Sequence, residues 1–282
     1  MKIKIKVKIN RYTFGYFVFI VAALIVMLYL RFPGDTLARF LVSSVSEENP
    51  GTILLIDAAK PVIPPGIRFV NLTLGFRDTP LSTLQADAIT IGPAYLTLLK
   101  GQTALAFKAD TYGGVIQGQA EMNHSLSFQG PINWKISADG LNIDKIGYLK
   151  ERLGRQITGK LKSAITFTGQ IQSIASGAGN FEFTLVNGSY PLLESIMGID
   201  RLDFKKVEAL ASLKNGVLTI TKLKLTGEKA GCTLSGDIIL NNADIKNSQI
   251  NLNAAIELPA QNNKKIGMVL TGPLGNPTMK FM

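Results

Sequence analysis

Val217-Leu218-Thr219-Ile220-Thr221-Lys222-Leu223-Lys224-Leu225 decides the fold. Apolar residues recur at every second position and Thr or Lys fills the gaps, the period of a strand with one apolar and one wet face. Working outward, the same alternation predicts strands over 52–57, 67–76, 86–91, 103–110, 115–122, 132–138, 160–170, 179–186, 206–213, 217–225, 232–240, 249–258 and 266–271. The links between them are short and rich in turn residues: Tyr112-Gly113-Gly114, Lys214-Asn215-Gly216, Gly227 to Gly231 and Asn241 to Asp244. Links of that length join antiparallel neighbours, so the expected body is a long antiparallel meander. A sheet with one apolar face must curve, fold over or stack to shelter it. Either a closed sandwich or a half-open sheet with an apolar groove satisfies this, and the pattern leaves both open.

Three interruptions carry helical signals. They are 93–99, ended by Lys100-Gly101; 144–153, opened by Asp144 as a cap and closed at Gly154; and 191–197, with Pro191 at a helix-starting position. Within the last, Leu192, Leu193, Ile196 and Met197 form an apolar patch, a plug on the sheet or a candidate surface for a partner or groove.

Upstream of the strands, Thr13 to Leu30 reads TFGYFVFIVAALIVMLYL without a charge, close to the ~20 residues that cross a bilayer core. Lys2, Lys4, Lys6, Lys8 and Arg11 precede it and Tyr12, Tyr16, Tyr29 and Phe32 lie near its ends, the arrangement of a span whose N-terminus stays in the cytoplasm. No small-residue cleavage site follows the apolar run, which favours an uncleaved anchor over a signal peptide. Phe14, Phe17, Ile20, Leu24 and Leu28 are its expected membrane-facing residues. After Pro33-Gly34, Asp35 is expected to cap a short amphipathic helix bearing Leu37, Phe40, Leu41 and Val45 on one side. The expected division is therefore a basic cytoplasmic flank over 1–12, a transmembrane anchor over 13–31, the amphipathic helix and linker over 32–50, and a periplasmic β domain over 51–282. The fold class is mainly β: a long antiparallel, curved or folded-over sheet with a few short helices, preceded by one transmembrane helix.

Composition narrows the chemistry. The 282 residues are 46% hydrophobic and 18% charged, too apolar for disorder, with one Cys and one His. Multi-Cys and His-pair metal sites are thereby excluded, and no cofactor is expected. About half of the net charge of +10 sits in the N-terminal cluster, which leaves no basic, aromatic-rich face for nucleic acid. Gly154 to Leu161 matches a phosphate-cradling loop until its last position, where Leu161 replaces the magnesium-binding Ser or Thr and a strand pattern follows. His124 has no nucleophile or orienting acid at a signature spacing and reads as a hairpin-tip residue. Cys232 alternates with Leu234 and reads as packing; Trp134, between Ile132 and Ile136, reads as core. No catalytic constellation remains, and the chain reads as a non-enzymatic binding protein.

The order of features resembles a known family. The N-terminal anchor, Phe32-Pro33-Gly34-Asp35-Thr36-Leu37, Pro64-Pro65-Gly66-Ile67, Ala86 to Pro93, Leu98-Leu99-Lys100-Gly101 and Tyr112 to Gly118 are similar to the type II secretion system protein N family. The closing Leu270 to Pro277 resembles the wider AsmA-like group of envelope proteins. The first resemblance implies an inner-membrane, single-pass accessory of protein export in a Gram-negative bacterium, with other secretion-system envelope subunits as partners. The second implies a lipid-handling groove with phospholipid as ligand. Neither supplies a catalytic motif.

Overall fold

Alternation becomes one sheet. The computed structural model describes residues 11–77, 79–99, 101, 103–122, 130–170, 173–196, 199–228, 230–258 and 264–282. Two helices come first, α1 (Arg11–Leu30) and α2 (Gly34–Glu48). The strands are β1 (Thr52–Val62), β2 (Gly66–Phe76), β3 (Thr79–Pro93), β4 (Thr103–Thr111), β5 (Gly114–Met122), β6 (Ile132–Asn142) and β7 (Lys160–Gln170), continuing with β8 (Ser173–Ile196), β9 (Ile199–Lys214), β10 (Val217–Thr226), β11 (Gly231–Ile239), β12 (Gln249–Leu258), β13 (Lys264–Pro273) and β14 (Thr278–Phe281). Helix α3 (Tyr95–Leu98) follows β3, and α4 (Gly147–Leu153) lies between β6 and β7.

Each strand pairs antiparallel with its sequence neighbour, so spatial order equals chain order across 14 strands, and the end strands β1 and β14 each pair on one side only. Turn chemistry explains the sharp reversals. At Tyr112-Gly113 and Asn215-Gly216 both central residues have positive φ, as a two-residue hairpin of type I′ requires. Strand β4 ends its pairing with β3 at Ala88↔Asp110, and side chains carry the link onward: the Thr111 hydroxyl donates to the Gln85 carbonyl, and the Gln85 amide donates to the Tyr112 hydroxyl at 2.9 Å.

The helices cover part of the sheet. Ala38 of α2 is buried with Ala59 and Phe69, and Leu37, Leu41, Ile56 and Leu72 pack around them. Gly34 lies so close to the Ala59 carbonyl that a Cβ there would collide with it. Asp35 does not cap α2. Pro33 holds that position without a side-chain bond, and Asp35 sits in the first turn, where a carboxylate suits the helix dipole. Likewise Asp144 lies inside a 3₁₀ turn (Ile143–Lys145) and Ile146 precedes α4, which ends at left-handed Gly154. Tyr148 of α4 reaches Phe76 of β2 with ring centroids 5.7 Å apart.

The expected helix over 191–197 is replaced by strand. Pro191 to Ile196 continue β8, whose Pro191 pairs with Arg201 and Ile196 with Ile199. Register accounts for this: β9 offers a continuous template, and the irregularity between Pro191 and Ile196 absorbs the missing proline amide. Met197 lies outside the described residues.

Helix α1 runs for 20 residues, about 30 Å at 1.5 Å per residue, with its large apolar side chains exposed. Among the described residues no helix is long and apolar enough to cross a membrane. The side chains of α1 at 11, 13 and 28 fall outside that description, whereas the sequence of the same helix holds no charge from Tyr12 to Leu30.

Candidate functional site

Strand register sorts the side chains into two faces. One row of cross-strand partners runs Ala59, Phe69, Ile89, Ala109, Ile116, Ala138, Ser163, Phe183, Ala209, Leu223, Leu234, Ala254, Met268 and Phe281. It crosses all 14 strands with one hydroxyl. The next row, from Pro61 through Phe107, Ile136, Phe181 and Leu252 to Met279, contains only apolar residues and glycine. At ~4.8 Å per strand these rows extend about 60 Å. Each strand contributes up to four such positions, as Ile132, Trp134, Ile136 and Ala138 do on β6, which makes the band roughly 20 Å wide.

This face is only partly covered. Helix α2 lies over β1–β2 and α4 near β2–β3, and among the described residues extensive strand packing occurs only between sequence neighbours. Among the described residues, the buried side chains that cluster do so in two small groups: the α2 cluster, and Ala120, Met122 and Ile132 with Leu105 and Trp134 against them. Leu223, Leu225, Leu234 and Ile238 are half-buried, crowded from the sides, while Phe183 and Phe281 are exposed. Phenylalanine also shelters glycine here: the Phe167 ring lies over Gly177 and Gly179, and Phe107 over Gly118.

The opposite face holds the charges. Its ion pairs include Lys135–Glu121 at 3.0 Å, Lys265–Glu257 at 2.8 Å, and Glu208 between Lys206 at 2.8 Å and Lys222 at 3.6 Å. Hydrogen bonding and attraction from Lys206 hold the Glu208 carboxyl below its ordinary range, and Lys265 does the same for Glu257. Glu257 in turn raises the Lys265 ammonium above its usual value.

The residues singled out in the sequence fall as follows. Phe14, Phe17, Ile20 and Leu24 are exposed along α1; Leu28 belongs to the same helix, its side chain outside the description. Leu192 is half-buried in β8, and Leu193 and Ile196 follow it in that strand, so these three do not form a helix face, while Met197 lies outside the described residues. Trp134 packs against the buried Ile132 cluster as expected. Cys232 is half-buried on the apolar face opposite Leu225 and Ile256, and burial pushes its thiol up. Gly154 ends α4 and Lys160 opens a strand, the reverse of a phosphate loop. His124 lies outside the described residues. Among the described residues no group of three His, Cys, Asp or Glu is placed to hold a metal ion.

What this arrangement can do chemically is present a long apolar surface beside a polar, ion-paired one. Comparison with family models, curated proteins and solved structures finds no match for this chain.

Proposed function

We propose that the chain is a non-enzymatic envelope protein, anchored in the bacterial inner membrane by α1, whose β domain stands in the periplasm and receives lipid acyl chains along the apolar face of its sheet. The observation that carries this is the pair of apolar rows running through all 14 strands of one open sheet. Half of the first row is buried, but Leu223 and Leu234 are half-buried and Phe183 and Phe281 exposed, and acyl chains cover such accessible stretches without demanding polar partners. The uncharged run of α1 and the lysines before it support attachment to an anionic leaflet, beside the source of such chains.

The test is photocrosslinking in intact cells with benzoylphenylalanine in place of Phe183, compared with the same probe at Lys162 on the polar face. Lipid adducts at 183 and none at 162 are expected; adducts to protein alone at 183 would sink the reading.

A second reading has its own observation. β14 is short and exposed over its whole length, a free edge to which a strand of another protein can add. Together with the resemblance to secretion system protein N, this supports docking of secretion-system envelope subunits. A deletion strain separates the two: periplasmically trapped secreted enzymes with normal lipids favour docking, whereas normal secretion with altered lipid distribution favours the acyl-chain reading.

A further inference from the structure

The polar face holds a cavity that the acyl-chain reading does not use. It has a volume of about 980 Å³ and lies over β2 to β7, between the β1–β2 turn and Thr166. Register identifies the face: Thr90, Lys108, Gln117 and Ser137 are direct cross-strand partners in one row, and Ala106, Gln119, Lys135 and Thr166 in the next. One end is closed by Val62 to Pro65, tied down by the Tyr95 hydroxyl, which donates to the Pro65 carbonyl at 2.6 Å.

Three cations line this space, Arg68, Lys108 and Lys135, and among the described residues no carboxylate does. Asp110 and Glu121 stand beside it, and each engages one cation: Asp110 meets Arg68 at 3.4 Å, and Glu121 meets Lys135 at 3.0 Å. Arg68 keeps the rest of its five donors and Lys135 two of its three. Lys108 is exposed and makes no ion pair among the described residues. The row is also electrostatically uncomfortable, because Lys60 sits directly opposite Arg68 and like charges so placed destabilise a sheet. Arg68 and Lys108 are two strands apart, about 10 Å at their Cβ atoms, so their long side chains can meet on one small anion.

We propose that this cavity binds a phosphate-bearing ligand, with the phosphate between Arg68 and Lys108 and its hydroxylated body running past Gln117 and Gln119 to Lys135. A guanidinium fork beside an ammonium group is suited to phosphate oxygens, and amide side chains and the Lys135 ammonium can hydrogen-bond hydroxyls. The shared chemistry has two sources, a soluble sugar or glycerol phosphate and the headgroup of an anionic lipid. The site stands apart from the acyl-chain face, so either reading can fail without the other.

The experiment is a calorimetric titration of the full chain in detergent with glycerol 3-phosphate, and a second with phosphatidylglycerol in nanodiscs. Because the N-terminal lysines also attract anionic bilayers, the lipid arm is read as the difference between the unaltered protein and Lys108→Gln. Saturable binding, weakened about tenfold by Lys108→Gln and by Lys135→Gln and unchanged by Lys162→Gln, is the expected result. Binding of glycerol 3-phosphate itself assigns the soluble source; a Lys108-dependent signal only in nanodiscs assigns the headgroup. Equal binding by the unaltered protein and Lys108→Gln in both arms overturns the proposal, as does an equal loss in Lys162→Gln. All three lysines are exposed, and matching melting temperatures verify that the variants are folded.

Discussion

Among the described residues Ile132 is the largest side chain with no exposure at all, held at the start of β6 between Met122 and Gly169. Truncation there leaves a cavity that neighbouring strands cannot close. Ile132→Ala is expected to lose about 2–5 kcal/mol, read as a lower denaturant midpoint with an unchanged slope. The ion pairs on the polar face behave differently. The carboxyls of Glu208 and Glu257 titrate below their ordinary range, so their contribution to stability is present above the unfolded carboxylate value and lost as pH falls through the depressed folded one. Both groups are half-exposed at the surface, and salt screens them. Carbon-detected NMR titration is expected to give midpoints below the ordinary Glu value at low salt that move towards it at high salt; Lys265→Gln should release Glu257 and leave Glu208 unchanged.

At the scale of the element, β1 and β2 share a change of phase. Along β1, Leu54 and Ile56 are half-buried and Ile53, Leu55 and Asp57 exposed, yet Ala59 is buried and Lys60 exposed. Asn71, opposite on β2, has a φ of 49° and donates through its side-chain amide to Asp57 at 2.8 Å. This break lets Ile56 and Leu72 pack with Ala59 and Phe69 under one helix, although strict alternation would send them to opposite faces. Asn and Gly tolerate that conformation and a β-branched residue does not. Asn71→Val is expected to cost about 1–3 kcal/mol in chemical denaturation, and Asn71→Gly markedly less. The sequence could show the strands on either side, because their alternation is strong, but not the phase change, because Asn71 reads as an ordinary polar strand position. For the same reason, Pro191 looked like a helix start: a proline and four apolar residues satisfy the helical pattern, and only the long β9 beside them favours strand. Four-residue β14 is too short for periodicity to register. The polar-face cavity was invisible for a different cause, since Arg68, Lys108 and Lys135 share one face only through register across five strands.

For the whole molecule the decisive quantity is how the apolar face meets solvent. In a closed sandwich a charge placed on it would be stranded and the domain would unfold. On an open face the charge reaches water at the rim. Leu234→Glu, at a half-buried position on β11, eleventh of the fourteen in the first apolar row, is therefore expected to keep the folded circular-dichroism spectrum and a melting temperature within several degrees of the parent, while losing lipid recovered by extraction and mass spectrometry. Unfolding of this variant would indicate a second layer over that face. The two-sidedness itself was legible in 217–225 alone; that the sheet remains open was not, because openness depends on accumulated twist rather than on any one strand.

Neighbour-only pairing has one further consequence, for how such a molecule changes length. No strand depends on a partner distant in the chain, so a hairpin inserted at any turn lengthens the sheet and leaves the other registers as they were. Growth proceeds in increments of two strands, about 9.6 Å each, as in a solenoid that gains repeats. The length of the sheet is thus a modular property, adjustable by duplication of a segment of some twenty residues without redesign of the remainder.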